Sequence, residues 1–292
     1  MDFEKMIDSL YHQRKDDSIK NDFGKMLIIG GSRKYPNAVL ISALLAGVSG
    51  VGFVSIGVPD SIYPEVVTKS GHTVTFEPSS VASDDISYSE RQLEQIMKNY
   101  SSILFGNGIS DSLMNKRLLG KLLLDYEGIL VIDATGISLL SQLEVTKFKP
   151  KVILTPHLGE AGNLLKIDTR SRNPEDYVKE AKLFCKKNQC QVLLKSDHSI
   201  LVDEEGNDYP SDYPPTPCLA KAGSGDGLSG YLAGILAYGT KDFSLVDCIL
   251  FADKMIHEAA LQSQEKLSKG IADILTSKEE IAKIIVKYKR SC

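Results

Sequence analysis

The chain has 292 residues, of which 42% are hydrophobic and 25% charged, and its formal net charge is -4. Such a composition is typical of a globular protein with a sizeable core, and the small charge excludes a surface that recruits nucleic acid or anionic membranes. The five cysteines form no C-x-x-C pair, which argues against a disulfide framework or a zinc site and for a reducing compartment. With neither a signal-peptide pattern nor an apolar run long enough to cross a bilayer, we expect a cytoplasmic protein.

Along the chain, short apolar runs alternate with longer amphipathic stretches, a pattern that predicts βαβ units around a mainly parallel sheet. The segment Glu204–Pro217 is rich in Asp, Pro and Tyr and predicts a hairpin and a loop. After Gly223 the pattern predicts helices only, and without a repeat or a linker we expect one domain over residues 1–292. The predicted strands are Lys25–Ile29, Gly52–Gly57, Ser102–Phe105, Ile129–Ile132, Val152–Leu154 and Val192–Leu194, and the predicted helices cover residues 37–49, 90–99, 112–126, 158–165, 174–188, 226–238, 243–266 and 277–289.

Small, acidic or polar residues follow several of these strands, in IIGGS at 28–32, LFGNG at 104–108, VIDAT at 131–135 and ILTPH at 153–157. Ligands of open α/β sheets bind outside the carboxyl ends of the strands, so we expect the functional residues along this edge. Plain turns would explain the two glycine-containing segments equally well.

Three side chains near the strand ends have two interpretations each, and a fourth, Glu160, has one. Asp133 could belong to a metal–phosphate network or cap the next helix, and Lys195 could neutralise a nucleotide phosphate or be solvated. His157 could contact a ligand or make a structural hydrogen bond, and Glu160 could cap the same turn. The residues alone leave these alternatives open.

The most informative segment is Ala222–Gly230, AGSGDGLSG, which runs into YLAGILAYG. The apolar spacing predicts a helix that begins near Asp226, and the glycine-rich turn ahead of it would present free N–H groups to an anion such as a phosphate. Because a carboxylate repels phosphate, Asp226 would accept a proton from a hydroxyl that attacks the phosphoryl group, unless it only caps the helix. The segment also fits G-x-G-x-x-G, but PPTPCLAKA before it is no strand, so a dinucleotide-binding fingerprint is not expected.

Seven segments, in this order, resemble the ribokinase-like NAD(P)H-hydrate dehydratase family, whose members repair hydrated nicotinamide cofactors with ADP or ATP. The most distinctive is LTPHLGE at 154–160, and AKAGSGDGLSG at 220–230 corresponds to the family signature A-x-G-G/T-G-D-x-L-x-G. The resemblance implies a three-layer α/β sandwich with a mainly parallel central sheet and helices on both faces. The other segments are RKDDSIKNDFGKMLII at 14–29, the GGS-initiated stretch at 30–59, FGNG at 105–108, VIDATGISLL at 131–140 and LLKSDHSILV at 193–202.

The resemblance also implies an activity and the residues that carry it. The enzyme would restore NADH or NADPH from the S-epimer of its hydrate by phosphorylating the ring hydroxyl and eliminating phosphate. Asp226 would be the catalytic residue, magnesium would accompany the nucleotide, and the chain would form dimers or tetramers. The hydrate would contact Ala38, Gly108, His157 and Asp226, the adenine nucleotide would contact Lys195, Ser196, Asp197, His198, Ser199 and Gly225, and the anion hole would consist of Gly223, Ser224 and Gly225.

The chain departs from the family pattern at four places, which bear on nucleotide choice and rate more than on the fold. G-A-A reads Asn37-Ala38-Val39, and L-K-G-x-x-T loses its glycine to Ser196 and gains Asp197. G-P-G reads G-N-G at 106–108, and the strand end D-A-D/G reads D-A-T at 133–135. Two other functions remain open: a small-molecule kinase of the same superfamily, such as a hydroxyethylthiazole or hydroxymethylpyrimidine kinase, and a nucleotide sensor without turnover.

Overall fold

The computed structural model describes residues 1–71, 74–144, 147–167 and 173–288. Within these ranges, nine strands form one sheet in the order β3-β2-β1-β4-β5-β6-β7-β8-β9. Neighbouring strands from β3 to β7 are parallel, and β8 and β9 add an antiparallel edge. The strands are β1 Lys25–Ile29, β2 Phe53–Gly57, β3 Val74–Phe76, β4 Ser102–Phe105, β5 Ile129–Ile132, β6 Lys151–Leu154, β7 Gln191–Leu194, β8 Ile200–Val202 and β9 Asp208–Pro210.

The helices lie on both faces of this sheet, so the predicted three-layer α/β sandwich is confirmed. Alternate side chains of β1 point to opposite faces: Met26 and Ile28 join the core beneath one helical layer, and Leu27 and Ile29 join the core beneath the other. The described helices are α1 Phe3–Ile7, α2 Ala38–Val48, α3 Tyr63–Lys69, α4 Glu90–Asn99, α5 Leu113–Asp125, α6 Thr135–Ser141, α7 Leu158–Leu165, α8 Pro174–Asn188, α9 Ser224–Gly239, α10 Leu245–Leu267 and α11 Ile274–Lys287. Buried residues of α2, α9, α10 and α11 fill the first core, and those of α4 to α8 fill the second.

The strand order reverses between β1 and β4, which leaves a crevice at their carboxyl ends. The turns that follow the two strands meet there, because the N–H of Gly31 donates to the carbonyl of Asn107 at 2.8 Å. Gly106 and Gly108 both have positive φ, at 123° and 69°, so the turn after β4 needs glycine on either side of Asn107. This crevice is where the fold places a ligand.

Helices α2 and α9 pack against each other so closely that glycine is required at the contact. A Cβ atom on Gly230 would lie 2.2 Å from the carbonyl oxygen of Ser42, and one on Gly234 would lie 2.1 Å from Oγ of Ser49. The pair therefore forms one rigid unit above the crevice, with Ala38 at the start of α2 and Asp226 in the first turn of α9.

The predicted strands agree with the structure to within one residue at each end, and the helix-only pattern after Gly223 is also confirmed. The sequence pattern missed α1, α3, α6 and β3, which are all short. The hairpin expected within 204–217 begins earlier, because it is formed by β8 and β9. Residue 289 of the last predicted helix and Cys292 lie outside the described residues. No helix in the described ranges is long and apolar enough to cross a membrane.

Candidate active site

The first turn of α9 lies at the centre of the candidate site. Its N-cap is Gly223, whose φ of 92° favours glycine, and no side chain caps this end of the helix. The helix begins two residues earlier than predicted, so Asp226 is its third residue and the interpretation of Asp226 as the cap is wrong. The first N–H groups of an α-helix have no intrahelical acceptor, so those of Gly225 and Asp226 are available to an anion.

A hydroxyl group at the same helix end also suits an anion. Ser224 is the first residue of α9, and its Oγ is buried without a hydrogen-bond partner among the described residues. A buried hydroxyl in a native protein normally has a partner. A phosphate oxygen would supply that partner and accept the hydroxyl proton.

An ion pair between strand ends stands beside this turn. Nζ of Lys195, after β7, lies 2.7 Å from Oδ1 of Asp133, after β5, and the two side chains are 18% and 2% exposed. A Cβ atom on Gly225 would lie 3.1 Å from that Nζ and 3.7 Å from Oδ2 of Asp133. Asp133 therefore holds the lysine against the first turn of α9. Its carboxylate pairs with Lys195 and does not cap the next helix, since the N-cap residue of α6 is Ala134.

Asp226 lies in a setting that favours its protonated form. Burial raises the pKa of its carboxyl to about 7, the negative charge of Asp133 adds to this, and Lys195 and the amide of Asn107 act in the opposite direction. Glu160 raises the pKa slightly further. A carboxyl that titrates near neutral pH is suited to accept a proton from a hydroxyl at that pH.

A cavity of about 560 Å³ opens next to the ion pair and the first turn of α9. Its far wall is formed by the loop before α9 and by α10, and it is mostly apolar, as expected for a nucleotide base. Of the predicted site residues, those that line it are His157, Lys195, Ser196, Asp197, Ser199, Ser224 and Gly225; the remaining lining residues are Pro215, Thr216, Pro217, Leu219, Ala220, Lys221, Leu228, Ile256 and His257.

The predicted site residues Ala38, Gly108, His198, Gly223 and Asp226 do not line this cavity. Ala38 and Gly108 adjoin each other at the crevice, since a Cβ atom on Gly108 would lie 2.8 Å from that of Ala38. His198 is exposed beyond the cavity. Ala38 and Gly108, assigned to the hydrate, thus lie apart from most residues assigned to the nucleotide, whereas His157, also assigned to the hydrate, lines the cavity with them. The individual roles stay predictions.

His157 has a structural function in addition to lining the cavity. Its Nδ1 accepts hydrogen bonds from the N–H groups of Gly159 and Glu160, at 3.0 and 3.3 Å, and Glu160 accepts from the N–H of His157. Both the structural interpretation of His157 and the capping by Glu160 are therefore confirmed. The backbone of His157 also pairs with that of Lys195, which joins the TPHLGE segment to the segment that begins at Lys195.

Sequence reasoning missed a buried cluster behind the cavity. The hydroxyl of Tyr213 donates to Asp253 at 2.7 Å, and the ring of Tyr213 stacks on that of His257 with centroids 3.9 Å apart. Burial raises the pKa of Asp253, and the charge of His257 opposes this. Tyr213 and His257 are far apart in sequence and fit no motif, so no local sequence pattern indicated them.

Asn107 was not among the predicted site residues, although the sequence shows it as a departure from G-P-G. It is fully buried and bonds to both helices of the rigid pair, through Oγ of Ser42 at 3.0 Å and Oγ of Ser229 at 2.9 Å. Among the described residues, no cluster of three or more His, Cys, Asp or Glu side chains could hold a metal ion by itself.

The nine-stranded sheet, the crevice at its order reversal and the glycine-capped helix, with the carboxyl of Asp226 in its first turn, define a ribokinase-like α/β protein. A family model described as NAD(P)H-hydrate dehydratase matches residues 26–283, so the chain belongs to this family. The family inferred from the sequence segments is thereby confirmed.

Relatives of known function support the assignment. The chain is 27% identical over 290 residues to the ADP-dependent (S)-NAD(P)H-hydrate dehydratase of Streptococcus pneumoniae, covering 98% of this chain and 95% of that protein. It is 29% identical over 248 residues to the bifunctional NAD(P)H-hydrate repair enzyme of Dictyoglomus turgidum, covering 79% of this chain and 45% of that protein. The chain thus spans about half the length of the bifunctional relatives it matches.

A solved structure shows the same fold. The ADP/ATP-dependent NAD(P)H-hydrate dehydratase of Bacillus subtilis, co-crystallised with ATP and Mg²⁺, superposes with a TM-score of 0.80 at 20% identity. The match covers 98% of this chain and 97% of that chain. At this identity the likeness concerns the fold, and the function is argued from the site.

Proposed function

We propose that the chain is an ADP- or ATP-dependent (S)-NAD(P)H-hydrate dehydratase, a hydro-lyase that restores NADH or NADPH from its hydrate. The observation that supports this most directly is the position of Asp226. Asp226 is the third residue of α9, and the pKa of its carboxyl is about 7. The free N–H groups of the same helix turn, with Lys195 beside them, suit a phosphate.

The adenine nucleotide would occupy the 560 Å³ cavity, with its base on the apolar wall and its terminal phosphate at the first turn of α9. Lys195 would neutralise phosphate charge, and Ser224 would donate its unpartnered hydroxyl. Ser196, Asp197, Ser199 and Gly225 would complete the nucleotide contacts from the cavity wall, whereas His198 would need to turn inward.

The hydrate would lie in the crevice beside Ala38 and Gly108, with its ring hydroxyl between Asp226 and the terminal phosphoryl group. Asp226 would take the hydroxyl proton as the oxygen attacks phosphorus, and the nucleotide would leave with one phosphate fewer. Electrons from the ring nitrogen would then expel the new phosphate, and a proton lost from the adjacent ring carbon would restore the dihydropyridine. Phosphorylation thus turns hydroxide, a poor leaving group, into a good one.

Magnesium would arrive bound to the nucleotide and neutralise part of the phosphate charge. Because the described residues include no cluster of three or more ligating side chains, most of its ligands would be phosphate oxygens and water. The single continuous sheet supports one domain over residues 1–292. The expected homo-oligomer and the cytoplasmic location stay predictions.

The test is recovery of the reduced-nicotinamide absorbance from S-NADHX, by the purified protein with magnesium and either ADP or ATP, in parallel reactions. We expect recovery with at least one nucleotide and its loss in Asp226→Asn, because an amide cannot accept the proton. A panel of hydroxyethylthiazole and hydroxymethylpyrimidine, assayed for phosphorylated product, tests the kinase alternative, against which the family match argues. Full turnover by Asp226→Asn would remove this residue from the mechanism.

A further inference from the structure

The amide group of Asn107 has its orientation fixed by its neighbours. The hydroxyl of Ser42 donates to the carbonyl of Ala38 at 3.0 Å, and the hydroxyl of Ser229 donates to the carbonyl of Gly225 at 2.9 Å. Each serine proton is thereby committed to its own helix, so each Oγ can only accept from Asn107. The NH₂ group of Asn107 is the one donor that satisfies both, and it lies between α2 and α9.

The carbonyl oxygen of the same amide group is not hydrogen-bonded in this way. Oδ1 of Asn107 is buried and has no hydrogen-bond partner in the described part of the chain. An unsatisfied buried carbonyl is unfavourable by roughly 1–3 kcal/mol, which offsets part of the stability that the two hydrogen bonds of the NH₂ group contribute.

The position of the contact connects it to the catalytic carboxyl. Ser229 bonds back to the first turn of α9, to the carbonyl of Gly225 and, at 3.3 Å, to that of Asp226. The backbone of Asn107 is itself held by the N–H of Gly31 and flanked by two positive-φ glycines. A chain of short contacts thus runs from the rigid end of β4 to the backbone that carries Asp226.

We propose that Asn107 is a positioning residue for Asp226: it ties the end of β4 to α2 and to the first turn of α9, and so fixes the carboxyl relative to the crevice. This inference rests on the proposed function for its catalytic meaning. Proline, which the family pattern has at this position, could donate no such bonds.

The same amide affects the charge of the carboxyl. Burial raises the pKa of Asp226 and the charges of Asp133 and Glu160 add to this rise, whereas the charge of Lys195 and hydrogen bonding from the Asn107 side chain oppose it. These are the charged and polar groups that face Asp226 from β5, β7, α7 and the turn after β4. Removing the amide should therefore move the titration of Asp226 to higher pH.

The test compares the wild type with Asn107→Ala and Ser229→Ala, the second of which removes only the α9 end of the tie. Carboxyl-carbon NMR of ¹³C-aspartate-labelled protein, with the Asp226 signal assigned by Asp226→Asn, follows the titration directly. We expect the midpoint to rise in both variants, further in Asn107→Ala. In turnover we expect kcat at pH 7 to fall about threefold to tenfold, with a smaller loss at pH 9 and an unchanged KM for the nucleotide.

Ser102→Ala is the matched control, because Ser102 also joins β4 to α9, by a buried 2.8 Å bond to the carbonyl of Ala233 away from the site. It should lower the unfolding temperature without moving the Asp226 midpoint. An unmoved midpoint in folded Asn107→Ala and Ser229→Ala, or an equal shift in Ser102→Ala, would overturn the proposal. The NMR titration needs no turnover, so a wild type that leaves S-NADHX unchanged refutes the proposed function separately.

Discussion

Breaking the Lys195–Asp133 ion pair from either side should move the pH dependence of catalysis in opposite directions. Asp133→Asn removes a negative charge that raises the pKa of Asp226, and Lys195→Met removes a positive charge that lowers it. Both variants lose the same 2.7 Å contact. If the pKa of Asp226 moves in opposite directions in the two variants, the difference can therefore only come from the charge that remains beside Asp226 in each.

The magnitude follows from the pKa of about 7 for Asp226. A general base works in its ionised form, so the wild type should lose activity below pH 7 and keep about a tenth of its plateau at pH 6. Asp133→Asn should keep a larger fraction at pH 6 and Lys195→Met a smaller one. Lys195→Met should also lower the free energy of unfolding by about 3–5 kcal/mol, because it leaves the carboxylate of Asp133 buried without a partner.

The assay measures kcat for S-NADHX at saturating nucleotide between about pH 5 and pH 9, since we expect Lys195→Met to weaken nucleotide binding as well. Saturation separates the two effects. If both variants moved the acidic limb the same way, the charges around Asp226 would not set its titration. A wild type that stayed fully active down to about pH 4 would refute Asp226 as the titrating base.

Three further outcomes are expected. Asp226→Asn should raise the free energy of unfolding at pH 8 by up to about 4 kcal/mol, because the pKa of Asp226 in the folded state lies above its ordinary value and the ionised carboxylate is therefore destabilising. The gain should be smaller toward pH 4, where the carboxyl is protonated in the folded protein. Denaturant titration at both pH values measures this difference. His157→Ala should lower stability by about 1 kcal/mol by uncapping α7, and His157→Asn should restore the cap, so thermal unfolding that is alike in both would contradict the capping role. Gly225→Ala should raise the nucleotide KM several-fold, because its Cβ lies 3.1 Å from Nζ of Lys195, whereas Gly47→Ala meets nothing within 4 Å and should leave KM unchanged.

The fold was largely predictable because the central strands β4 and β5 are fully buried and consist, apart from Ser102, of apolar residues in a continuous run. The elements that were missed lack such a signal. Strand β3 lies at the sheet edge with no buried residue, and α6 has only seven residues. Short elements of this kind are stabilised by tertiary contacts more than by local sequence.

The candidate site was predictable only where glycine or an acid follows a strand or opens a helix. Asp226 and Lys195 are in such positions, and the structure brings them to the same helix end. The bond of Asp133 to Lys195 joins residues 62 positions apart, and no local pattern records it. The sequence shows Asn107 as a departure from the G-P-G motif, but it does not show that Asn107 bonds to Ser42 on α2 and Ser229 on α9.

The glycine-mediated contact of α2 with α9 has a consequence for protein engineering. Ala38 and Asp226, two of the residues proposed to contact the hydrate, belong to a helix pair that tolerates no added methyl group at Gly230 or Gly234, whereas residues 215–221 line the proposed nucleotide cavity from a loop. Randomised libraries aimed at a new phosphoryl donor should therefore vary that loop and leave the helix pair intact. Donor preference and substrate preference can then be evolved as separate traits.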